Sequence, residues 1–282
     1  MKKGFAIGGL VLVTVIWGAG FVANDIALES MLPLQIMMVR FLLAAILLGL
    51  VGLPELKEIT KGEIVAGSLM GIALYGAHLL QIIGLQYTTT SKSAFLTSLN
   101  VVIVPFIAYI ILKKKVGIRG IIGAVMSVAG VALLSLNGDF TLGLGDSLTL
   151  LCAVGFAFQI FLTGEYVKKY RTAVLNFIQM AVSFILGLIS MIAFGQTSFQ
   201  VTTEGWLSVI YLGAVSTAVC YLLQTTCQKY VDETKAAIIL SMESVFGTLF
   251  SILILHDVLT VRMVIGCVII LAAVTISNLS EA

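Results

Sequence analysis

The sequence predicts an all-α membrane protein, in which ten transmembrane helices form two inverted five-helix repeats around a central cavity. Three observations predict this fold: an apolar composition, basic residues at alternate connections, and a weak internal repeat. Of the 282 residues, 60% are hydrophobic and only 11% are charged, whereas a soluble domain is about half apolar and about a quarter charged. The chain therefore has too little polar surface to cover a water-soluble globule.

The charged residues stand in short runs, and each apolar stretch between them is long enough for a helix to cross about 30 Å of hydrocarbon. The first stretch follows Lys2 and Lys3 and is too long for the core of a secretory signal, so we interpret it as an uncleaved span. Pro33 and Pro54 bound the second stretch. The predicted spans are residues 5–28, 34–52, 63–85, 90–112, 117–136, 146–167, 172–194, 205–227, 233–255 and 260–279.

Short polar connections separate the later spans. Three lysines at 113–115 end the fourth span, and basic residues within 168–171 end the sixth. An Asn-Gly-Asp segment at 137–139 begins the connection between the halves. We therefore divide the chain into a first repeat, residues 1–138, and a second repeat, residues 139–282.

The basic residues predict the orientation of the chain. With the N-terminus in the cytoplasm, thirteen of the sixteen lysine and arginine residues fall on the inner side, only Lys92 and Arg262 fall outside, and Arg40 lies within a span. Because basic residues concentrate on the cytoplasmic side of membrane proteins, we predict both termini inside and the loop 137–145 outside. The expected location is the inner (cytoplasmic) membrane of a bacterial cell.

A weak internal repeat relates the two halves. A shift of 143 residues pairs His78 with Tyr221, Gln81 with Gln224, and Asn100 with Glu243, and a shift of 139 pairs Trp17 with Phe156 and Arg40 with Gln179. A repeat unit with an odd number of spans inserts its second copy upside down. Inverted repeats of this kind recur in transporters, so the repeat predicts a transporter architecture.

The most recognisable segments are Trp17 with the glycine after it, Arg40 followed by an apolar run, and residues 98–136 and 241–279. Together they resemble the drug/metabolite transporter superfamily, in its EamA-like branch, over essentially the whole chain. The resemblance implies that spans 1–4 and 6–9 surround the cavity and that spans 5 and 10 pack outside it. Family members often have proline after the glutamate of the ninth span, where this chain has Ser244.

Polar side chains at membrane depth are costly, so each one is a candidate for function. Glu243 lies near the middle of the ninth span, where an ionised carboxylate needs a partner. We predict that it carries a proton or contacts a cationic group of a substrate. The alternative is a structural hydrogen bond to Asn100, its counterpart in the first repeat and itself a candidate contact.

Two further polar pairs share helix faces. His78 and Gln81 lie about one turn apart on the third span, and Tyr221 and Gln224 do so on the eighth. Inverted symmetry predicts that the first pair lines an outward-facing cavity and the second an inward-facing one. The alternative for His78 is a hydrogen bond between helices.

Three aromatic residues and one charged pair complete the candidates. Trp17, Tyr75 and Phe158 fall near the middle of cavity-forming spans, where they either stack on a planar or apolar substrate or simply pack. Arg40 and Asp25 lie toward the outer ends of the first two spans. We predict a structural ion pair between them near the outer entrance; the alternatives are snorkelling of Arg40 and direct substrate contact.

The sequence favours a secondary active transporter that works by alternating access. Export of small metabolites, amino acids or drug-like molecules is favoured by the resemblance alone, and an importer or a facilitative uniporter stays open. Proton coupling is a hypothesis that rests on Glu243 and His78. A membrane-embedded enzyme is a weaker alternative, because the chain has two histidines, no HExxH motif and no paired intramembrane aspartates. A channel is another weaker alternative. The chain has no phosphate-binding loop, so ATP is not expected to drive transport directly.

The expected partners are the lipid bilayer, a small-molecule substrate and, under the coupling hypothesis, protons. A net charge of +2 with basic residues in loops does not suggest nucleic acid. No cofactor or metal is predicted, because the four cysteines fall within apolar segments and lack metal-ligand spacing. The glycine pair Gly67 and Gly71 permits close helix packing within one chain or between two, so both a monomer and a homodimer stay open.

Overall fold

The computed structural model describes residues 3–113, 117–135, 143–254 and 260–278. Most of the predicted outer loop 137–145 and part of the lysine run lie outside these ranges. The helices are α1 (Lys3–Leu28), α2 (Pro33–Gly52), α3 (Lys61–Leu85), α4 (Thr90–Ser98), α5 (Asn100–Leu112), α6 (Ile118–Ser135), α7 (Leu144–Tyr166), α8 (Thr172–Ala193), α9 (Thr203–Ile210), α10 (Cys220–Gln228), α11 (Glu233–Leu240), α12 (Glu243–Ile254) and α13 (Val261–Asn278). A π-helical segment, Tyr211–Val219, joins α9 to α10, and a short 3-10 turn, Leu56–Glu58, lies before α3.

Seven stretches of the described residues are long and apolar enough to cross a membrane. They are α1, α2, α3, α7, α8, the continuous stretch Thr203–Gln228, and the stretch Glu233–Ile254. Three shorter apolar helices, Leu96–Leu112, Ile118–Gly130 and Val264–Ile276, fall within the predicted fourth, fifth and tenth spans. The chain is therefore an all-helical multi-pass membrane protein over its described residues, and the full count of ten spans stays a prediction.

Two predicted spans are broken at corresponding points. α4 gives way to α5 at Leu99, and α11 gives way to α12 next to Met242; these residues are 143 positions apart, which is the shift that relates the two halves. Two serine hydroxyls at the second break donate to backbone carbonyls three residues earlier, each at 2.7 Å, and such bonds compete with helical pairing. Asn100 and Glu243 begin the helices that follow the breaks, a position that transporters use for substrate and ion sites.

Glycines allow the helices around the cavity to pack closely. A side-chain carbon at Gly71 would lie 2.7 Å from the backbone oxygen of Gln179, and one at Gly18 would lie 2.7 Å from the backbone nitrogen of Gly247. These positions hold α3 against α8 and α1 against α12. α6 and α13 pack extensively on each other.

Arg171 connects the turn between α7 and α8 to the connection between α2 and α3. Its Nε and Nη2 donate to the two carboxylate oxygens of Glu63, each at 2.8 Å. Its Nη1 and Nη2 also donate to the backbone oxygens of Glu55 and Glu58, at 3.0 and 2.7 Å. Glu63 additionally accepts from the backbone N–H and hydroxyl of Thr60 and so caps α3. The hydrogen bond to Glu63 raises the pKa of Arg171 further, and we call this set of contacts the ionic clasp.

A second set of hydrogen bonds connects the turn between α1 and α2 to the connection between α8 and α9. Gln35 Nε2 donates to the backbone oxygen of Ser198 at 2.7 Å, and the backbone N–H of Leu34 donates to Gln196 Oε1 at 3.0 Å. This neutral clasp lies at the opposite end of α2 from the ionic clasp. In the predicted repeat, each clasp joins the connection between the first and second spans of one half to the connection between the second and third spans of the other half.

Candidate substrate cavity

A small, partly open cavity lies among the helices that carry most of the predicted polar residues. The space open to the centres of water molecules is about 50 Å³, which is room for a few waters. The lining residues are Trp17, Gly20, Phe21, Asn24, Arg40, His78, Gln81, Thr97, Asn100, Phe156, Gln159, Ile160, Ser216, Tyr221, Leu240 and Glu243. Among these described residues none comes from α6 or α13, the predicted fifth and tenth spans. None comes from α8 either, although the seventh span was expected to surround the cavity.

Most of the lining residues form pairs under the two sequence shifts. The shift of 139 relates Trp17 to Phe156, Gly20 to Gln159 and Phe21 to Ile160, and the shift of 143 relates His78 to Tyr221, Thr97 to Leu240 and Asn100 to Glu243. These six pairs supply twelve of the sixteen lining residues. Positions related by the two sequence shifts therefore line one common cavity.

His78 is enclosed by aromatic rings. Its ring centroid lies 4.8 Å from that of Phe156, 5.5 Å from that of Phe41 and 6.1 Å from that of Tyr221. Its Nδ1 lies 3.2 Å from the backbone oxygen of Leu74, within hydrogen-bond distance. Within the described chain the other ring nitrogen has no hydrogen-bond partner, so His78 contributes both an apolar ring and one free polar atom to the cavity.

Trp17 connects α1 to the π-helical segment. Its Nε1 donates to the backbone oxygen of Ser216 at 2.8 Å, and the Tyr211 hydroxyl donates to the backbone oxygen of Ile16 at 2.8 Å. The Trp17 ring also lies 5.2 Å from that of Tyr221, at an angle of 50°. The segment contributes Ser216 to the cavity wall. Because π-helical turns occur often at functional sites, its presence here supports a functional role for the cavity.

Arg40 is turned into the cavity and not toward Asp25. Its Nε donates to the Thr217 hydroxyl at 3.0 Å, and that hydroxyl donates to the backbone oxygen of Leu212 at 2.6 Å within the π-helical segment. Its Cζ lies 5.8 Å from the centroid of the Phe41 ring. Arg40 makes no ion pair with any described residue, so the predicted pair with Asp25 is not formed. The long side chain reaches inward because Thr217 offers an acceptor there.

Glu243 and Asn100 face the cavity without protein partners. In the described part of the chain the Glu243 carboxyl group makes no hydrogen bond and no ion pair, although the residue is only 7% exposed. The Oδ1 of Asn100 is likewise buried and unpaired, so the alternative hydrogen bond between these two residues is absent. Since buried polar groups are normally paired, both are candidates for contact with water or a bound molecule.

Gln224 lies beside the cavity in a network of buried glutamines. Its Nε2 donates to Gln159 Oε1 at 3.3 Å and to Gln228 Oε1 at 3.0 Å. Gln159 Nε2 donates to Gln179 Oε1 at 3.2 Å, and Gln228 Nε2 donates to the backbone oxygen of Ile160 at 3.1 Å. The prediction that Gln224 lines an inward-facing cavity does not hold in this conformation, because these amides hold it against its neighbours; Gln159 reaches the cavity in its place.

Six of the nine predicted substrate contacts line the cavity, and their contact with a substrate stays a prediction. Gln81 is one of them and donates to the Thr97 hydroxyl at 3.2 Å. Tyr75 does not line the cavity, because its hydroxyl donates to Ser190 at 2.7 Å and joins α3 to α8. Phe158 is 41% exposed and faces outward, since it lies two residues along the helix from Phe156, which faces inward.

The lining residues that sequence analysis missed fall into two groups. Phe156 had a usable signal, because it is the repeat counterpart of the candidate Trp17; Gln159 is the counterpart of Gly20, which was not a candidate. Asn24 and Ser216 had none beyond being polar within apolar spans. Asn24 Nδ2 donates to a backbone oxygen of its own helix, and its Oδ1 is buried without a partner, so its role in the cavity emerges only from the fold.

These features define a class before any comparison: a multi-pass helical membrane protein built around a buried polar cavity, as small-molecule transporters are. The sequence model of the EamA-like transporter family matches residues 4–136 and 143–279. The chain therefore belongs to the EamA-like transporter family and is a membrane transporter, not an enzyme.

Relatives and solved structures agree with this assignment. A protein of Archaeoglobus fulgidus described as an uncharacterized transporter is 34% identical over 279 residues, which cover 99% of this chain and 87% of the relative. The Bacillus subtilis protein described as uncharacterized transporter YdfC is 25% identical over 286 residues, covering 95% and 89%. A crystal structure with 16% identity superposes with a TM-score of 0.82 over 98% of this chain and 97% of that one, so the two share a fold.

Proposed function

We propose that the chain is a secondary active transporter, in which inverted repeats at residues 1–138 and 139–282 expose the cavity alternately to the two sides of the membrane. The observation that carries the proposal is the pairing of the lining residues, since six repeat-related pairs supply most of the cavity wall. Two similar half-structures of opposite orientation can exchange conformations, which opens a shared site first to one side and then to the other. The division of the family match into two segments supports the same repeats.

In this proposal the shorter apolar helices complete ten spans. The stretch Leu96–Leu112 with α4 forms the fourth span, and α6 and α13 form the fifth and tenth. The protein then lies in the inner membrane, and the asymmetry of basic residues favours an orientation with both termini in the cytoplasm. The ionic clasp and the neutral clasp support the inverted arrangement. They correspond to each other in the proposed repeat, and they lie at opposite ends of α2.

The substrate binds in the cavity between the two halves. Trp17, His78, Phe156 and Tyr221 offer an aromatic wall that suits a planar or apolar body. The Glu243 carboxyl group and the Oδ1 of Asn100 offer polar contacts that no described protein group occupies. The cavity is narrow in this conformation, so binding of anything larger than a few waters accompanies an opening of the wall.

Export is the direction that the family resemblance favours, and uptake or facilitated exchange is the second candidate. Proton coupling rests on Glu243, because an unpaired carboxyl group at this depth is far cheaper when it is protonated. Contact with water or with a cationic group changes that balance, so a single residue can exchange a proton for another ligand as the cavity opens.

Reconstitution into lipid vesicles tests the proposal. A thermal-shift screen of amino acids, nucleobases and organic cations on purified protein first selects a ligand. Vesicles preloaded with unlabelled ligand should then take up the labelled ligand by saturable counterflow. Counterflow requires a carrier that binds the ligand on each side of the membrane in turn. Large passive ion currents would indicate a channel instead, and a ligand that binds but never shows counterflow would contradict alternating access.

A further inference from the structure

Arg40 presents a positive charge to the cavity, and none of the described residues forms an ion pair with it. The residue is 3% exposed, and its one hydrogen bond runs from Nε to the Thr217 hydroxyl. Its Nη1 and Nη2 have no partner among the described residues, and no described carboxylate forms an ion pair with it. A guanidinium stays charged even when it is buried, and a buried charge without a counter-ion is costly. Among the described lining residues Glu243 has the one carboxyl group, and it makes no ion pair with Arg40, so Arg40 has no counter-ion in contact with it.

The surroundings of Arg40 fix which donors are available. Thr217 holds Nε, and the Phe41 ring lies 5.8 Å from Cζ. The two terminal nitrogens are the donors left over, and they form one edge of a planar fork. That edge matches the two oxygens of a carboxylate, which arginine binds with a pair of parallel hydrogen bonds.

We infer that Arg40 is the docking group for an anionic group of the transported molecule, and that the substrate is a small organic carboxylate. The inference rests on the proposed function, because it names the substrate class for the same cavity. It assigns Arg40 a direct contact in place of the structural ion pair that the sequence predicted.

A carboxylate fits better than a phosphate or an inorganic anion for two reasons. Arg40 is the only lysine or arginine among the described lining residues, so one negative charge is matched and a dianion is not. The cavity wall also contains the rings of Trp17, His78, Phe156 and Tyr221, which receive an organic body and would not replace the water shell of an inorganic ion.

Trp17 provides a direct readout of anion binding. The chain has two tryptophans, and Trp206 lies outside the cavity, stacked on Phe199. Trp206→Phe therefore leaves Trp17 as the sole tryptophan, within the cavity wall. Benzoate and benzamide are matched probes, because they share a ring and a planar head group and differ in charge.

In the Trp206→Phe protein we expect benzoate to change Trp17 fluorescence saturably and benzamide to bind at least tenfold more weakly. Arg40→Gln should abolish that preference, and Arg40→Lys should keep part of it, because lysine retains the charge and loses the fork. Arg262→Gln is the matched control: it removes an exposed positive charge at the start of α13 and should leave the preference unchanged.

Three results would overturn the inference: equal affinity for the two probes, no saturable binding of benzoate, or an unchanged preference in Arg40→Gln. The comparison of the two probes in the Trp206→Phe protein needs no change at Arg40, so the test stands even where Arg40→Gln fails to fold. Binding to purified protein is independent of transport. A benzoate preference without counterflow of any solute would contradict the proposed function and leave the anion site intact. Counterflow without a benzoate preference would support the proposed function and contradict the anion site.

Discussion

The rings of His78 and Tyr221 lie with their centroids 6.1 Å apart in the wall of the cavity, although the two residues are 143 positions apart in the sequence. They occupy corresponding positions in the two halves of the chain and have different chemistry. The same holds for Asn100 and Glu243. Positions related by the shift of 143 residues therefore bring different polar groups to the same cavity.

The variant Glu243→Gln tests whether Glu243 couples transport to protons or serves only the structure. Glutamine can make the contacts of the neutral acid, so we expect the variant to fold and to keep some substrate exchange. It cannot release a proton, so uptake driven by a pH gradient should be lost. The measurement is uptake into vesicles with and without an imposed gradient. Glu29→Gln, at an exposed turn, is the control and should behave as wild type; gradient-driven uptake by Glu243→Gln at the wild-type rate would make Glu243 a structural residue.

Phe156 and Phe158 form a matched pair for testing the cavity. Phe156 is 9% exposed and contacts the His78 ring, whereas Phe158 is 41% exposed on the outer face. Phe156→Ala should weaken binding of a transported ligand about tenfold, equivalent to ~1.4 kcal/mol. Phe158→Ala should leave the affinity within about twofold. Equal losses in titrations of both variants would mean that the aromatic wall does not contact the ligand.

Arg171→Ala should lower the melting temperature of the purified protein. The change removes four side-chain hydrogen bonds of the ionic clasp and leaves the buried Glu63 carboxylate without its cation. Arg171→Lys should recover only part of the loss, because a single ammonium group cannot reproduce the bidentate contact. Lys169→Ala, two residues earlier and exposed, is the control. Identical melting curves for all the variants would show that the clasp contributes nothing to stability.

Opposite sidedness of two loops tests the proposed orientation. Lys57 lies in the connection between α2 and α3, and Gln200 lies in the connection between α8 and α9; both are exposed. With the four native cysteines replaced by alanine, an impermeant thiol reagent added to intact cells should label Gln200→Cys and not Lys57→Cys. Lysed cells should label both. Labelling of both from outside would contradict the five-plus-five arrangement.

The sequence predicted the helices well because a lipid environment leaves the backbone little choice. Polar backbone groups must be paired within each span, so apolar stretches of sufficient length become helices. The breaks next to Leu99 and Met242 and the π-helical segment were not predictable in the same way. They depend on local bonds between side chains and backbone, such as that of Thr217, and composition does not report these.

The candidate site was predicted in part for a related physical reason. Depth within a span can be read from the sequence, so Glu243 and Trp17 were predicted near the middle of their spans, and both line the cavity. The direction of a side chain depends on how the helix is rotated in its packing. This is why Phe158 was chosen and Phe156 was not. Arg40 has a side chain long enough to point outward or inward, and only the position of Thr217 decides between them.

The glutamine network has a consequence for leakage. Gln228 adjoins Gly164 and the buried Glu233, whose carboxylate lies 3.8 Å from the Lys168 ammonium group at the far end of α7. Between that charged rim and the cavity stand the amides of Gln159, Gln224 and Gln228. An amide donates and accepts hydrogen bonds but does not take up and pass on a proton at neutral pH, as water and carboxylates do. The amides of this network therefore do not themselves relay protons between the charged rim and the cavity.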